Sequence, residues 1–401
     1  RYDTRRKTIG WTFETALNTD WKLRQNMRYS YNKNDYRTLY ADSFSLPGGF
    51  NADPVNQRVV DRYAGVSLAQ TKVFGLDQSV EGNLVTGSIK HKLLLGVDYL
   101  HYKQLGSAGY PAATPIDVYN PVYTGFTFND LSLLGANTQK QTGLYVQDQL
   151  SLTSKWLLTV GLRHDRARNE TEGADTQKSS ATTKRAGLMY LSDSGVSPYV
   201  SYSESFTLVA NSTQGQVFKP LRGEQWEAGV KYEPVGRNLS LNAAAYRWKE
   251  KNQLVAITPV LSAQLDSTSA RGVELEARGQ VVKGLEVIAN YNYIDLDEQL
   301  NGVPSQQTSL WTKYSFAAAG VTGLSVGGGV RHMNSFRDGT APTTPDVTLV
   351  DAMFAWDSPS WRVALNVNNL GNKTYVATCL SRGDCWFGAK RNAVLSATYR
   401  W

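Results

Sequence analysis

The chain has 401 residues, with 42 Lys and Arg scattered among 35 Asp and Glu and a formal net charge of +7. No stretch approaches the ~18 consecutive apolar residues of a transmembrane helix, and no basic run exceeds Arg5–Lys7, which argues against a nucleic-acid partner. The 22 Tyr, 10 Trp, 12 Phe and 34 Gly suit strands and turns instead.

Alternation of apolar and polar residues begins near the start and predicts strands over 7–18, 20–42, 58–84 and 88–104. The next are 139–153 and 156–169. In the latter, Trp156, Leu158, Val160 and Leu162 share one face and Thr159, Gly161, Arg163 and Asp165 the other. Then come 179–192, 196–206, 221–233, 238–253, 262–280 and 284–298, followed by 306–317, 323–336, 346–357, 360–370 and 389–401. In 284–298, Leu285, Val287, Ala289, Tyr291 and Tyr293 oppose Glu286, Ile288, Asn290 and Asn292. In 360–370, Trp361, Val363, Leu365 and Val367 oppose Arg362, Ala364, Asn366 and Asn368. A soluble sandwich would show the same alternation, so the connections have to decide.

They are of two kinds. Asn18–Asp20, Ser154–Lys155, Ser192–Gly195, Pro234–Arg237, Val282–Gly284 and Ser358–Ser360 are short. Ser45–Gln57, Leu105–Thr138, Thr207–Pro220, Gln299–Ser305, Asp338–Pro345 and Lys373–Gly388 are long and polar. Short turns at one rim and long loops at the other are the pattern of a transmembrane antiparallel β-barrel. The expected fold is therefore all-β, with about 17 strands, many longer than the ~9–11 residues that cross a bilayer. A mean hydropathy of −0.38 fits a barrel with a wet interior. An odd count makes the first and last strands parallel, so the reading expects at least one further strand upstream of Arg1.

Cys379 and Cys385 lie six positions apart with no His nearby, which favours a local disulfide over a metal pair and implies an oxidising compartment. His91, His101, His164 and His332 fall in separate strands without ligand spacing. Gly327–Gly329 lies inside a strand and is no phosphate loop; it eases close strand packing. Arg382–Gly383–Asp384 is read as a chance tripeptide at a hairpin tip. No Ser/His/Asp grouping sits in a nucleophile-elbow context, so no enzyme is expected.

The last strand carries Leu395, Ala397, Tyr399 and Trp401 on one face and resembles the end of bacterial outer-membrane proteins. In those proteins such an end, here Tyr399–Trp401, is read by the barrel-assembly machinery. Several segments are similar to TonB-dependent siderophore receptors, above all the ferric hydroxamate type (ferrichrome and ferrioxamine). They are LLLGVDYLHYK (93–103), VYNPVY (118–123), KQTGLYVQDQL (140–150), VSPYVSYSESF (196–206), GEQWEAGVKYEP (223–234), ARGVELEARG (270–279), LNVNNLGNKTYVATC (365–379) and CWFGAKRNAVLSATYRW (385–401).

The resemblance implies that residues 1–401 are the C-terminal portion of a plugged barrel of the 22-stranded kind, with about five strands and the plug domain outside this chain. It implies a monomeric receptor in the Gram-negative outer membrane. That receptor would contact lipid and lipopolysaccharide, carry a ferric siderophore as ligand without any cofactor, and be energised by TonB through its N-terminal region. The paired cysteines match the loop disulfide of this group. Aromatic walls suit compact hydroxamate complexes, so Tyr110, Tyr119 and Tyr123 of the longest loop and Trp386 and Phe387 beside Cys385 are the candidate ligand-binding residues. A passive porin-like channel is the alternative reading.

Overall fold

Alternation at period two leaves every backbone N–H and C=O of a strand to be paired by its neighbours. In the computed structural model of the chain these groups are paired in antiparallel ladders. The structure describes residues 1–42, 53–124, 126, 131–209, 216–256, 262–297, 302–380 and 385–401. Among them are 22 strands and no helix. The chain forms two compact units, the first of residues 1–188, 202–224 and 250–267 and the second of 189–201, 225–249 and 268–401.

In the first unit β1 (Tyr2–Ala16), β2 (Trp21–Ala41), β3 (Val59–Thr86) and β4 (Ile89–Gly109) pair in sequence. The short β5 (Ala112–Asp117) folds back onto the start of β3, so that β6 (Ser132–Ser151) can pair with β4 and then with β7 (Trp156–Thr171). The strands β8 (Gln177–Tyr190), β9 (Val196–Thr207), β10 (Leu221–Tyr232) and β11 (Leu239–Lys251) follow and are divided between the units, with 189–201 and 225–249 belonging to the second. A hairpin of β12 (Gln253–Ala256) and β13 (Ser262–Leu265) completes the first unit. In the second unit β14 (Thr268–Val282), β15 (Leu285–Leu296), β16 (Gln306–Ala318), β17 (Val321–Met333), β18 (Val347–Asp357) and β19 (Trp361–Asn368) form a meander. The hairpin β20 (Val376–Cys379) and β21 (Cys385–Phe387) stands before β22 (Asn392–Tyr399), which pairs with β19.

The predicted strands are found within a few residues of their expected ends, with three differences. The stretch 262–280 divides into β13 and β14. The stretch Leu105–Thr138 is not one loop: β4 continues to Gly109, β5 lies inside it and β6 begins at Ser132. Its run of Gly, Ala and Ser shows no alternation to read, and the pairing there comes from β3. The hairpin β20–β21 lies within the expected loop Lys373–Gly388, and the Arg382–Gly383–Asp384 tripeptide falls outside the described residues.

Which face is covered decides between sandwich and barrel. Leu144, Leu162, Val350 and Phe354, all on the apolar faces, are 59%, 54%, 48% and 50% exposed, while Asp165 and Asn169 on the polar face are 2% and 0% exposed. A water-soluble sheet buries the opposite set. Exposed apolar rows over polar, hydrogen-bonded rows suit a sheet whose outer solvent is lipid.

The short turns carry a repeated device. Asn18 Oδ1 accepts the N–H groups of Asp20 and Trp21 at 2.9 Å each. Thr153 Oγ1 accepts those of Lys155 and Trp156 at 3.1 Å each. Ser358 Oγ accepts that of Trp361 at 2.9 Å. Each turn thus ends in a tryptophan at the first position of the returning strand, on the apolar face. Amphipathic rings of this kind belong at a membrane boundary.

Candidate functional site

The long-loop end of the first unit is fixed by two arginines. Arg62, 8% exposed, donates from Nε to Thr114 O at 2.8 Å and so ties β5 to β3. Arg58 donates from Nε to Asp117 Oδ2 at 2.6 Å. Asp117 Oδ1 in turn accepts the N–H groups of Tyr119 and Asn120 at 2.9 and 3.1 Å, which turns the chain after β5. The Arg58 guanidinium, helped by those two N–H groups, holds the Asp117 carboxyl below the ordinary aspartate range.

The register places Tyr36 and Tyr40 of β2 and Tyr63 of β3 on the polar face beneath this turn. The Tyr40 and Tyr63 rings stack with centroids 5.3 Å apart. Tyr63 meets Tyr110 at 6.4 Å, the Tyr36 and Tyr40 hydroxyls are hydrogen-bonded, and Tyr2 stands edge-on to Tyr36 at 5.7 Å. Tyr110 is therefore the exposed end of a chain of phenols leading down the polar face. Tyr119 and Tyr123 are exposed and make no ring contact among the described residues. The residues expected from sequence all lie in the long connections, whereas Tyr2, Tyr36, Tyr40 and Tyr63 lie on strands. The available signal was the even spacing of Tyr36 and Tyr40, which puts both on one face of a strand.

Nearer the short-turn end the polar face carries a charged network. Arg163 binds Asp98 through Nη1 and Nη2 at 2.5 and 3.0 Å, and Asp165 through Nε and Nη2 at 2.8 and 2.6 Å. Gln141 Nε2 donates to Asp165 Oδ1 at 2.8 Å. The Tyr145 hydroxyl donates to Asp77 Oδ1 at 2.6 Å. Room for this crossing of strands comes from Gly143, where a Cβ would lie 2.1 Å from Arg163 Nη2. Gly329 plays the same part for Trp311 in the second unit, with a would-be Cβ 2.3 Å from the indole. Gly327–Gly329 thus makes room for a ring on the neighbouring strand, a sharper role than the strand packing expected from sequence.

In the second unit Trp386 and Phe387 sit on β21, closed against β20 by the Cys379–Cys385 disulfide. Cys379 N–H donates to the buried Thr344 Oγ1 at 2.9 Å. Asn369, with φ of +51°, holds the base of the hairpin. Its Nδ2 donates to Lys373 O and Ala389 O at 2.8 and 3.1 Å, its Oδ1 accepts Lys373 N–H at 2.9 Å, and its own N–H donates to Asp351 Oδ1 at 2.8 Å. Arg331 grips the same Asp351 at 2.6 and 3.1 Å. Trp386 and Phe387, 44% and 76% exposed, are thus displayed on a clamped support. They belong to the second unit and the candidate tyrosines to the first.

The histidines serve separately: His91 Nδ1 pairs with Asp148 Oδ2 at 2.7 Å, and His164 and His332 bond Thr182 and Thr348 at 2.9 and 2.8 Å. On the apolar face of the first unit, at its long-loop end, Lys140, Arg166, Arg168 and Lys178 with Tyr99 and Thr142 line a cavity of about 550 Å³.

Residues 1–370 match the family model described as TonB dependent receptor-like, beta-barrel. The chain is 34% identical to the ferrioxamine B receptor of Salmonella typhimurium, covering 100% of this chain and 59% of that protein. It is 33% identical to the ferrichrome outer membrane transporter/phage receptor of Escherichia coli, again over 100% of this chain and 59% of the relative. The chain thus spans 59% of the length of these relatives. The crystal structure of the siderophore receptor PiuA from Acinetobacter baumannii superposes with a TM-score of 0.83 at 21% identity, covering 99% of this chain and 64% of that one. The closed form of the ferric-catecholate import receptor Fiu from E. coli gives 0.83 at 20%, covering 100% and 64%.

Proposed function

Because the chain belongs to the family of TonB-dependent receptor β-barrels, we propose that the protein is a receptor that captures a ferric siderophore, of the hydroxamate class, and passes it inward with work delivered by TonB. Residues 1–401 are in this reading the C-terminal portion of its barrel. The family is one of Gram-negative outer-membrane proteins, and its members are receptors and transporters rather than enzymes. The apolar faces meet lipid and the polar faces line the interior.

The observation that carries the ligand reading is the phenol chain Tyr110–Tyr63–Tyr40–Tyr36, which begins at an exposed ring among the long loops and descends the inner face. Stacked phenols offer flat apolar area with a hydroxyl at each rim, which suits a compact iron chelate with few charges. Tyr119, Tyr123, Trp386 and Phe387 remain proposed contributors from the loops. The test is calorimetric titration of the full-length receptor with a ferric tris-hydroxamate. Tyr40→Ala with Tyr63→Ala should weaken binding by about tenfold or more, each tenfold step being 1.4 kcal/mol. Affinity unchanged in that double variant would remove the phenol chain from the site.

Two further partners are part of the proposal. The cations Lys140, Arg166, Arg168 and Lys178, at the long-loop end of the apolar face, suit the phosphates of lipopolysaccharide. Tyr399, 4.9 Å from Trp361, and Trp401 end the chain in an aromatic ladder that the assembly machinery would read.

A further inference from the structure

Strand register sorts the inner face of the first unit by charge. One row of cross-strand partners runs Asn26–Asp77–Asp98–Gly143–Asp165, with Arg163 lying over the glycine. The next row toward the long loops holds Arg28 between Gly10 and Gly75. Beyond it the character changes. The row through Ser30, Val73 and Tyr102 ends in Asn169, and the row through Asn32, Thr71 and Gln104 ends in Thr171. In these two rows Arg6 is the one charged side chain. The amides and hydroxyls bond to one another: Asn137 Nδ2 donates to Asn169 Oδ1 at 3.0 Å and Thr171 Oγ1 at 2.8 Å, Asn32 Nδ2 to Asn34 Oδ1 at 3.2 Å, and the Tyr102 hydroxyl to Gln104. Asn32 Oδ1 is buried without a partner among the described residues.

A wall of amides and hydroxyls exchanges hydrogen bonds with a neutral polar solute almost one for one. It does not repay the desolvation of a multiply charged ion, which needs counter-charges at close range. In the two rows below, three carboxylates stand with the guanidiniums of Arg163 and Arg28, and counting Arg6 the charges balance, so no surplus of cations on this wall compensates an anion. We infer that these rows are a charge filter that determines specificity, admitting neutral iron chelates such as ferric tris-hydroxamates and rejecting trianionic ones such as ferric tris-catecholates. The inference rests on the receptor reading above and adds to it where on the wall the chelate's charge is read.

The test measures radio-iron uptake by cells whose only siderophore receptor is the full-length protein, supplied with a neutral ferric tris-hydroxamate or a trianionic ferric tris-catecholate. The wild type should prefer the neutral chelate. Thr71→Lys combined with Gln139→Lys, where Gln139 is the cross-strand partner of Tyr102 and Asn169 in the other charge-poor row, should narrow that preference by about tenfold, 1.4 kcal/mol. Thr71→Gln should behave as wild type. A wild type that takes up both chelates equally overturns the inference without any variant. So does a lysine variant that migrates as a folded barrel and keeps the wild-type preference. Uptake of neither chelate by the wild type would instead sink the receptor reading itself.

Discussion

Tyr145 lies across Gly96, its direct partner on β4, so closely that a Cβ there would stand 2.2 Å from the ring. The glycine is the socket that lets the phenol reach across β4 to Asp77 on β3. Gly96→Ala must therefore displace the ring and break the Asp77 bond, at a cost of about 1–3 kcal/mol. Gly75→Ala, where nothing lies within 4 Å of the added carbon, is the matched control and should be near neutral. Thermal unfolding of the two variants in detergent checks the contrast, and equal midpoints would refute it.

Arg163 is the hub of the inner charged network, and Asp165 beneath it is 2% exposed. Arg163→Gln should destabilise by roughly 1–3 kcal/mol because it leaves that carboxylate without its cation. Arg163→Lys should recover little, since a single ammonium cannot grip Asp98 and Asp165 together as the planar fork does. Denaturant midpoints measure both. Full rescue by lysine would mean that charge alone matters.

Asn369→Ala removes three side-chain hydrogen bonds at the base of the disulfide hairpin and leaves an alanine at a φ of +51°. About 2–3 kcal/mol of local stability should go with them. Hydrogen exchange should quicken at Lys373 and Gly388 while β14–β18 stay protected. Unchanged exchange there would mean that the disulfide and Thr344 suffice.

Asp117 gives a pH dependence with a definite sign. Its folded pKa is depressed by Arg58, so its contribution is complete above the ordinary aspartate value of about 3.9 and disappears as pH falls through the lower folded value. Amide protection at Tyr119 and Asn120, corrected for intrinsic exchange, should be flat from neutrality down to mild acid and then drop. In Asp117→Asn the drop should vanish. A fall at higher pH would point to another group.

The sequence exposed most of the fold because a two-residue period is written on each strand alone. Trp156, Leu158, Val160 and Leu162 need no partner to be read as one face. Which strand pairs with which residue is not written there. The stack of Tyr40 on Tyr63 depends on register across a long connection, and the row that continues from Asp98 through Gly143 to Asp165 depends on β6 passing over β5 to pair with β4. The loop aromatics drew attention because loops often carry function, and only Tyr110 among the first unit's three joins the phenol chain. The disulfide was legible from spacing, whereas Asn369, which clamps the hairpin's base, gave no signal beyond a polar run. β5 escaped notice because its pairing is dictated by β3.

The self-closing turns at Asn18, Thr153 and Ser358 bear on how the chain assembles. Each satisfies its own N–H groups from a side chain two or three residues away, so a hairpin can close before any distant strand arrives. A slip of one residue would carry the following tryptophan to the wet side. Those three rings therefore penalise a slipped register hairpin by hairpin, each without help from a distant strand.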